Sequence, residues 1–219
     1  GTKAGISAVS TGSNIINMVT FIITGLTMGV TVLISRYLGE KATERIGKVI
    51  GGAIVFFMAL TIFLMAILLL FAPIFTKWLN APQEAYSLTV VYVRICGGGL
   101  IFVVAYNVIS GIFRGLGNSK LPLIFVAIAC VVNIVGDLLF VAVFHMDVAG
   151  AALATILAQC VSVILSFAII RRQQLPFKFT RKDIGFHKEI LVFLKLGFPI
   201  ALQDMLVNIS FLILCAIIN

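Results

Sequence analysis

One carboxylate in this 219-residue sequence stands where a carboxylate is expensive. Asp137 lies in "VVNIVGDLLFVAVF", a run that otherwise reads as a membrane-crossing helix. Of the eight acidic residues, Glu40, Glu44, Glu84, Asp147, Asp183 and Glu189 fall in connections or at helix ends; only Asp137 and Asp204 lie well inside apolar segments. A charged aspartate in the middle of a bilayer costs at least ~3 kcal/mol on insertion scales. A proton, a metal cation or a basic partner must offset that cost. Asn133 precedes Asp137 by one helical turn, so the two side chains share a face.

Depth supplies a third group. Asp137 falls seven residues before the expected end of its span at Phe144, about 10 Å deep at ~1.5 Å per helical residue. Thr155 lies seven residues into the following span, counted from Val148. A short connection makes the two spans an antiparallel hairpin, which brings Thr155 to the level of Asp137. A carboxylate, an amide oxygen and a hydroxyl at one level suit a hard cation such as sodium. A proton on Asp137 would serve equally, because the neutral acid is the cheaper species to bury. A structural, ion-free Asp137 is the alternative reading. Asp204, with Asn208 one turn on, has a weaker claim to a vestibule role.

The elements that must position these groups are helices. The chain is 61% hydrophobic and 11% charged, against roughly 25% charged in an ordinary soluble domain. Six apolar stretches follow one another: Ser13 to Ile34, Val49 to Phe71, Leu88 to Phe113, Leu121 to Phe144, Val148 to Ile170 and Ile190 to Ile218. Each can cross a hydrocarbon core of ~30 Å as an α-helix. The alternating segments of about ten residues that a membrane barrel needs do not recur. The fold class is therefore all-α, a polytopic integral membrane protein with six transmembrane helices. Pro122 and Pro199 are read as lying near helix starts, where a missing N–H costs little.

Polar side chains recur at helical spacing. Ser13, Asn17, Thr20, Thr24, Thr27, Thr31 and Ser35 form one stripe along the first span; Thr155, Gln159, Ser162 and Ser166 form another along the fifth. Such stripes serve either as hydrogen-bonding contacts between helices or as the wall of an aqueous cavity. Two of them in one chain favour the cavity, with Asn17, Thr20, Thr24, Thr27, Gln159, Asp204 and Asn208 as candidate lining residues. Gly25/Gly29, Gly47/Gly51 and Gly111/Gly115 make GxxxG pairs suited to close helix packing. The cysteines Cys96, Cys130, Cys160 and Cys215 are scattered singly and lack metal or disulfide spacing, as do His145 and His187. No nucleophile stands beside a base, so no catalytic residues and no resident cofactor are expected.

Lysine and arginine set the orientation. Thirteen of the sixteen lie in connections on one side: Arg36, Lys41, Arg45 and Lys48; Arg114 and Lys120; and the group from Arg171 to Lys195. That side is the cytoplasm. Lys3 and Lys77 lie opposite, and Arg94 sits within a span near its external end. The net charge of +8 is thus mostly a topology signal, and nucleic-acid binding is not indicated. With Gly1 on the external side, a further helix is expected upstream, and more chain is expected after Asn219.

Several stretches together resemble one family. "LISRYLGEKATERIGKVIGGA", "GIFRGLGNSKLPL", "VVNIVGDLLFV", "VAGAALATILAQ" and "LKLGFPIALQ" are similar, in order and spacing, to multidrug and toxic compound extrusion (MATE) transporters. The resemblance implies a twelve-helix, two-lobe transporter. Residues 1–172 would be five spans of the first lobe, 173–189 the cytoplasmic inter-lobe linker, and 190–219 the first helix of the second lobe. The family's first-lobe cation site uses an Asn and an Asp one turn apart and a Thr on the next helix. These match Asn133, Asp137 and Thr155, the residues the depth argument had reached. The family site also takes an Asp from the helix upstream of this sequence. A Glu that one branch places in the seventh helix has no counterpart in "LQDMLVNIS".

What the resemblance implies about function is antiport. A sodium ion or proton moves inward and an organic, often cationic, compound moves outward by alternating access. The implied partners are small organic substrates, the lipid bilayer and the remainder of the same transporter, which is expected to be monomeric. The implied location is the bacterial inner membrane, multi-pass. The alternatives are a lipid-linked oligosaccharide flippase of the same superfamily and a non-transporting membrane scaffold. Arg94, the single basic residue inside a span, argues against the flippase.

Overall fold

Apolar residues that recur in segments too long for strands dictate helices whose backbone polar groups are satisfied internally. A computed structural model describes residues 3–172 and 175–218, with side chains described as far as Ser210. Among the described residues there is no strand. The helices are α1 (Lys3–Gly39), α2 (Thr43–Trp78), α3 (Gln83–Gly98), α4 (Leu100–Gly115), α5 (Lys120–Asp137), α6 (Asp147–Arg172) and α7 (Lys188–Ile218). A π-helical segment, Leu138–Val143, continues α5, and a 3₁₀ turn, Arg181–Asp183, lies between α6 and α7.

Five spans match the expected ones, most of them longer than their apolar stretches, and the third is broken. α3 and α4 meet at Gly99 with a 49° bend. "GGG" at 97–99 supplies no helix propensity there and permits close packing. Cβ atoms added at Gly97 and Gly99 would stand 3.0 Å from Leu68 and 2.5 Å from Ile156 respectively. Pro122 is in the first turn of α5, as its missing N–H allows. Pro199 corrects the sequence expectation, because α7 begins at Lys188 and the proline lies inside the helix. Pro73 is likewise inside α2.

Three helix ends share one stop. Lys41, Asn80 and Gly117 have positive φ (58°, 49° and 82°). In each case the next N–H reaches five residues back: Ala42 to Tyr37, Ala81 to Thr76, and Asn118 to Phe113. This left-handed cap satisfies carbonyls that a helix end leaves open.

The chain clusters into two compact units. The first comprises Gly1–Asn17, Met58–Tyr106 and Lys120–Gln174. Its core gathers Ala8, Ala85, Tyr92, Cys96, Val148 and Ala152. α5 and α6 pack along their length, and Gly136 lies so close to Ala154 that a Cβ on the glycine would stand 3.0 Å from the alanine Cβ. The second unit comprises Met18–Phe57, Asn107–Ser119 and Leu175–Asn219. Its core includes Ile23, Val30, Leu33, Ile46, Val49 and Phe193, all fully buried, with the Phe57 and Phe193 rings stacked at 6.4 Å.

All three GxxxG pairs are contact points of the second unit. Gly25 and Gly29 receive α7 at Ala201, Gly197 and the Phe193 carbonyl. Gly111 and Gly115 receive α1 at Thr27, Thr31 and Ile34. Gly47 and Gly51 receive Asp183 from the segment between α6 and α7. Any side chain at Gly25, Gly29, Gly51 or Gly111 would overlap its neighbour, so van der Waals contact between backbones replaces side-chain interdigitation there.

Candidate cation-coupling site

α5 carries Asn133 and Asp137 on one face because one helical turn separates them. Asp137 is the last α-helical residue, and the π-helical segment begins at Leu138. The wider turn is fixed by bonds such as Phe144 N–H to Leu139 O at 2.9 Å. Single π turns in otherwise α-helical spans are often found at functional positions, since they re-aim the side chains around them.

α6 carries Thr155 and, one turn deeper, Gln159. Gly136 against Ala154 registers the two helices one residue before both Asp137 and Thr155. Because the hairpin is antiparallel, Asp137 and Thr155 step away from that contact in opposite directions and lie about 3 Å apart along the helix axis. Thr155 Oγ1 donates to Ala151 O at 3.0 Å. Asn133, Asp137, Thr155 and Gln159 are each partly buried. Asp137 Oδ1 and Gln159 Oε1 are enclosed acceptor oxygens without a hydrogen-bond partner. A buried acceptor left unsatisfied costs about 1–3 kcal/mol, and more when charged. These oxygens lie on two packed helices, and the Asp137 carboxylate is one that a cation or a proton would satisfy.

Tyr92 of α3 is the functional candidate that the sequence reading missed. Its ring is 5% exposed and lies against Gly12, where any side chain would collide with it. Its hydroxyl shares a 3.1 Å hydrogen bond with Ser13 of α1, and Thr155 and Cys96 are its other polar neighbours. It therefore links the polar stripe of α1 to the α6 threonine. A tyrosine a turn into an apolar span is itself a signal, because a buried phenol needs a partner for its hydroxyl.

The two stripes divide between packing and polar surface. Thr27 is fully buried and donates to Ile23 O at 2.7 Å. It packs between α1 and α4 and lines no open space, which corrects its expected cavity role. Thr31 Oγ1 donates to Gly111 O at 2.9 Å and Ser35 Oγ to Gly115 O at 3.0 Å, so both hold α1 to α4. Thr24 donates to Asn107 Oδ1 at 3.1 Å. Asn17 is exposed and Thr20 half-buried. On α6, Ser162 and Ser166 are fully buried, Ser162 donating to Phe125 O of α5 at 3.2 Å. Asp204 and Asn208 belong to the second unit and are half-buried, with the Asn208 amide donating to the Asp204 carbonyl at 2.8 Å.

Cys96, Cys130 and Cys160 are free thiols; Cys215, Gly1, Thr2, Gln173, Gln174 and Asn219 lie outside the described residues or side chains. Arg94 is exposed.

Comparison with known proteins agrees with this architecture. The MatE family profile matches residues 2–139. The chain is 31% identical over its whole length to the "Probable multidrug resistance protein YpnP" of Bacillus subtilis, covering 49% of that protein. It is 26% identical over 62% of its length to the multidrug export protein MepA of Staphylococcus saprophyticus, covering 30% of it. Among solved structures, it superposes with a TM-score of 0.87 on an inward-facing multidrug resistance MATE family transporter of the MOP superfamily, at 24% identity. That match covers 92% of this chain and 46% of the other, and at this identity it establishes the fold. The chain thus spans about half the length of the curated relatives it matches. A helical membrane chain with broken third span, hairpin-borne carboxylate and this set of relatives belongs to the MatE family of transporters.

Proposed function

We propose that this chain forms the cation-coupling half of a multidrug exporter, in which a proton or sodium ion at Asp137 drives efflux of organic, often cationic, compounds. The observation that carries the reading is the enclosed, unpartnered Asp137 Oδ1. Asn133, Thr155 and Gln159 would supply further oxygens to a sodium ion, and a proton would need only the carboxylate. The names of the relatives, multidrug resistance and multidrug export proteins, supply the substrate class. Residues 1–172 would then be first-lobe helices, 173–189 the inter-lobe linker, and the helix from Ile190 the start of the second lobe. The membrane is then the cytoplasmic membrane of a bacterium, and the excess of Lys and Arg on one side supports an orientation with that side inward.

Mechanistically, coupling requires only that cation and substrate bind the two access states unequally. Satisfying Asp137 Oδ1 lowers the energy of whichever state keeps it enclosed. Releasing the cation to the cytoplasm restores the cost and favours the other state. The π-helical segment beside Asp137 and the glycine break at 97–99 are where α5 and the α3–α4 span can adjust.

The test is exchange of a fluorescent organic cation in everted vesicles from cells expressing the transporter. Asp137→Asn should abolish ion-driven exchange while the protein remains inserted and helical. Imposing a pH gradient without sodium, then a sodium gradient at fixed pH, separates the two ions. Unchanged exchange in Asp137→Asn overturns the proposal.

A further inference from the structure

The segment between α6 and α7 combines two features that an ordinary connection lacks. It is anchored, and its apolar side chains point outward. The anchor is a capping box: the Asp183 carboxylate accepts from the Thr180 N–H at 2.8 Å and from the Thr180 hydroxyl at 2.9 Å. The same carboxylate lies against Gly47 of α2, and the Asp183 carbonyl fills the space over Gly51. His187 Nε2 closes the turn on the Asp183 carbonyl at 2.8 Å. The turn is therefore seated in the glycine groove of α2.

Seating its polar side leaves the other residues out. Phe186 is 87% exposed, and Phe179 and Ile184 are 42% and 46% exposed. Lys178, Arg181, Lys182 and Lys188 are exposed around them. Of the acids here, Asp183 is bonded to Thr180, and Glu189 is half-buried in the first turn of α7. Phe186 stands two residues before Lys188, where a membrane-crossing helix begins, so it lies at the depth of the lipid headgroups. Unpartnered aromatic and aliphatic side chains ringed by bases match an anionic leaflet, which attracts the bases and accepts the rings below the headgroups.

We infer that residues 178–188 are an interfacial anchor: Phe179, Ile184 and Phe186 insert into the cytoplasmic leaflet while Lys178, Arg181, Lys182 and Lys188 bind anionic phospholipid headgroups. The capping box fixes the shape of the turn and Asp183 seats it over Gly47 and Gly51 of α2, so the lipid reads a preformed patch. The inference stands whichever ion couples transport.

Phe186→Trp, in a background where Trp78 and any other tryptophan of the full transporter are changed to Phe, makes a single reporter. A second reporter, Phe179→Trp in the same background, serves if the first protein does not insert, and far-ultraviolet circular dichroism checks that each is helical. The protein is reconstituted into vesicles of phosphatidylglycerol or of phosphatidylcholine, each with a fraction of lipid brominated high on the acyl chain. The expected result is blue-shifted emission and strong bromine quenching in phosphatidylglycerol. Quenching should drop in phosphatidylcholine and should lose most of its strength in phosphatidylglycerol with Arg181→Gln and Lys182→Gln together. Emission at the fully hydrated wavelength without bromine quenching overturns the anchor. Equal quenching in both lipids, unmoved by the charge variants, overturns its selectivity for anionic headgroups and with it the proposal.

Discussion

Gly136 of α5 and Ala154 of α6 approach so closely that a Cβ on the glycine would stand 3.0 Å from the alanine Cβ. The residue after each is Asp137 and Thr155, so this one contact fixes the level of two groups of the candidate site. Gly136→Val must push the helices apart. It should lower thermal stability by about 1–3 kcal/mol, the usual cost of overpacking, and impair ion-driven exchange more than helix content. Melting in detergent with parallel vesicle assays separates the two effects.

The bond between Ser13 and Tyr92 ties α1 to α3 in the first unit. Tyr92→Phe keeps the ring and removes the hydroxyl, and should cost about 0.5–1.5 kcal/mol. Combined with Ser13→Ala, the loss should be less than the sum of the single losses. Additive effects in the double variant would show that the two hydroxyls do not interact.

Thr31 donates to Gly111 O at 2.9 Å and to Thr27 O at 3.2 Å, and it is buried. Thr31→Val preserves the shape but withdraws the donor between α1 and α4. Destabilisation of about 0.5–1.5 kcal/mol is expected, as for a typical intramolecular bond. Thr31→Ser, which keeps the donor, should recover most of it in the same denaturation assay.

Gly51 and Gly39 make a contrasting pair. Any side chain at Gly51 would overlap the Asp183 carbonyl, whereas nothing lies within 4 Å of a Cβ at Gly39. Gly51→Ala should dislodge the Asp183 turn, read as faster amide exchange over residues 180–184. Gly39→Ala should leave that exchange unchanged and stabilise α1 slightly, since alanine restricts the unfolded chain.

The Asp183 turn also carries a pH dependence. Bonds from the Thr180 N–H and hydroxyl hold the Asp183 carboxyl below its ordinary value. With the folded value lower than the unfolded one, the turn's contribution is fully present above the ordinary aspartate range of about 3.9. It is lost as pH falls through the lower, folded value. Amide exchange over residues 180–184, corrected for the intrinsic rate, should therefore accelerate on acidification. Thr180→Val should shift the onset to higher pH.

Much of the spanning architecture was legible because a bilayer imposes one rule on every segment: apolar length must match the hydrocarbon core. The capping residues were less so. Lys41, Asn80 and Gly117 stop their helices by adopting positive φ, and of these the lysine does not announce it. The third span reads as one helix by hydropathy, yet Gly99 divides it, because packing against Ile156 decides whether a glycine run bends. Pro199 lies inside α7 because the apolar run already begins at Ile190, so the helix has formed more than two turns before the proline.

The sequence by itself determined the helical membrane fold and the identity of the costly carboxylate, since these follow from residue type and spacing along one helix. Only the tertiary structure decided which polar groups meet. Thr27, Thr31 and Ser35 share a stripe with Ser13, and periodicity cannot tell them apart. Contacts made by distant residues can: Gly111 and Gly115 turn the lower stripe into helix packing, whereas Tyr92 draws Ser13 towards Thr155. A side chain's own helix fixes the direction it faces, but whether that direction holds a carbonyl, a hydroxyl or open space is set by a neighbour some eighty residues away.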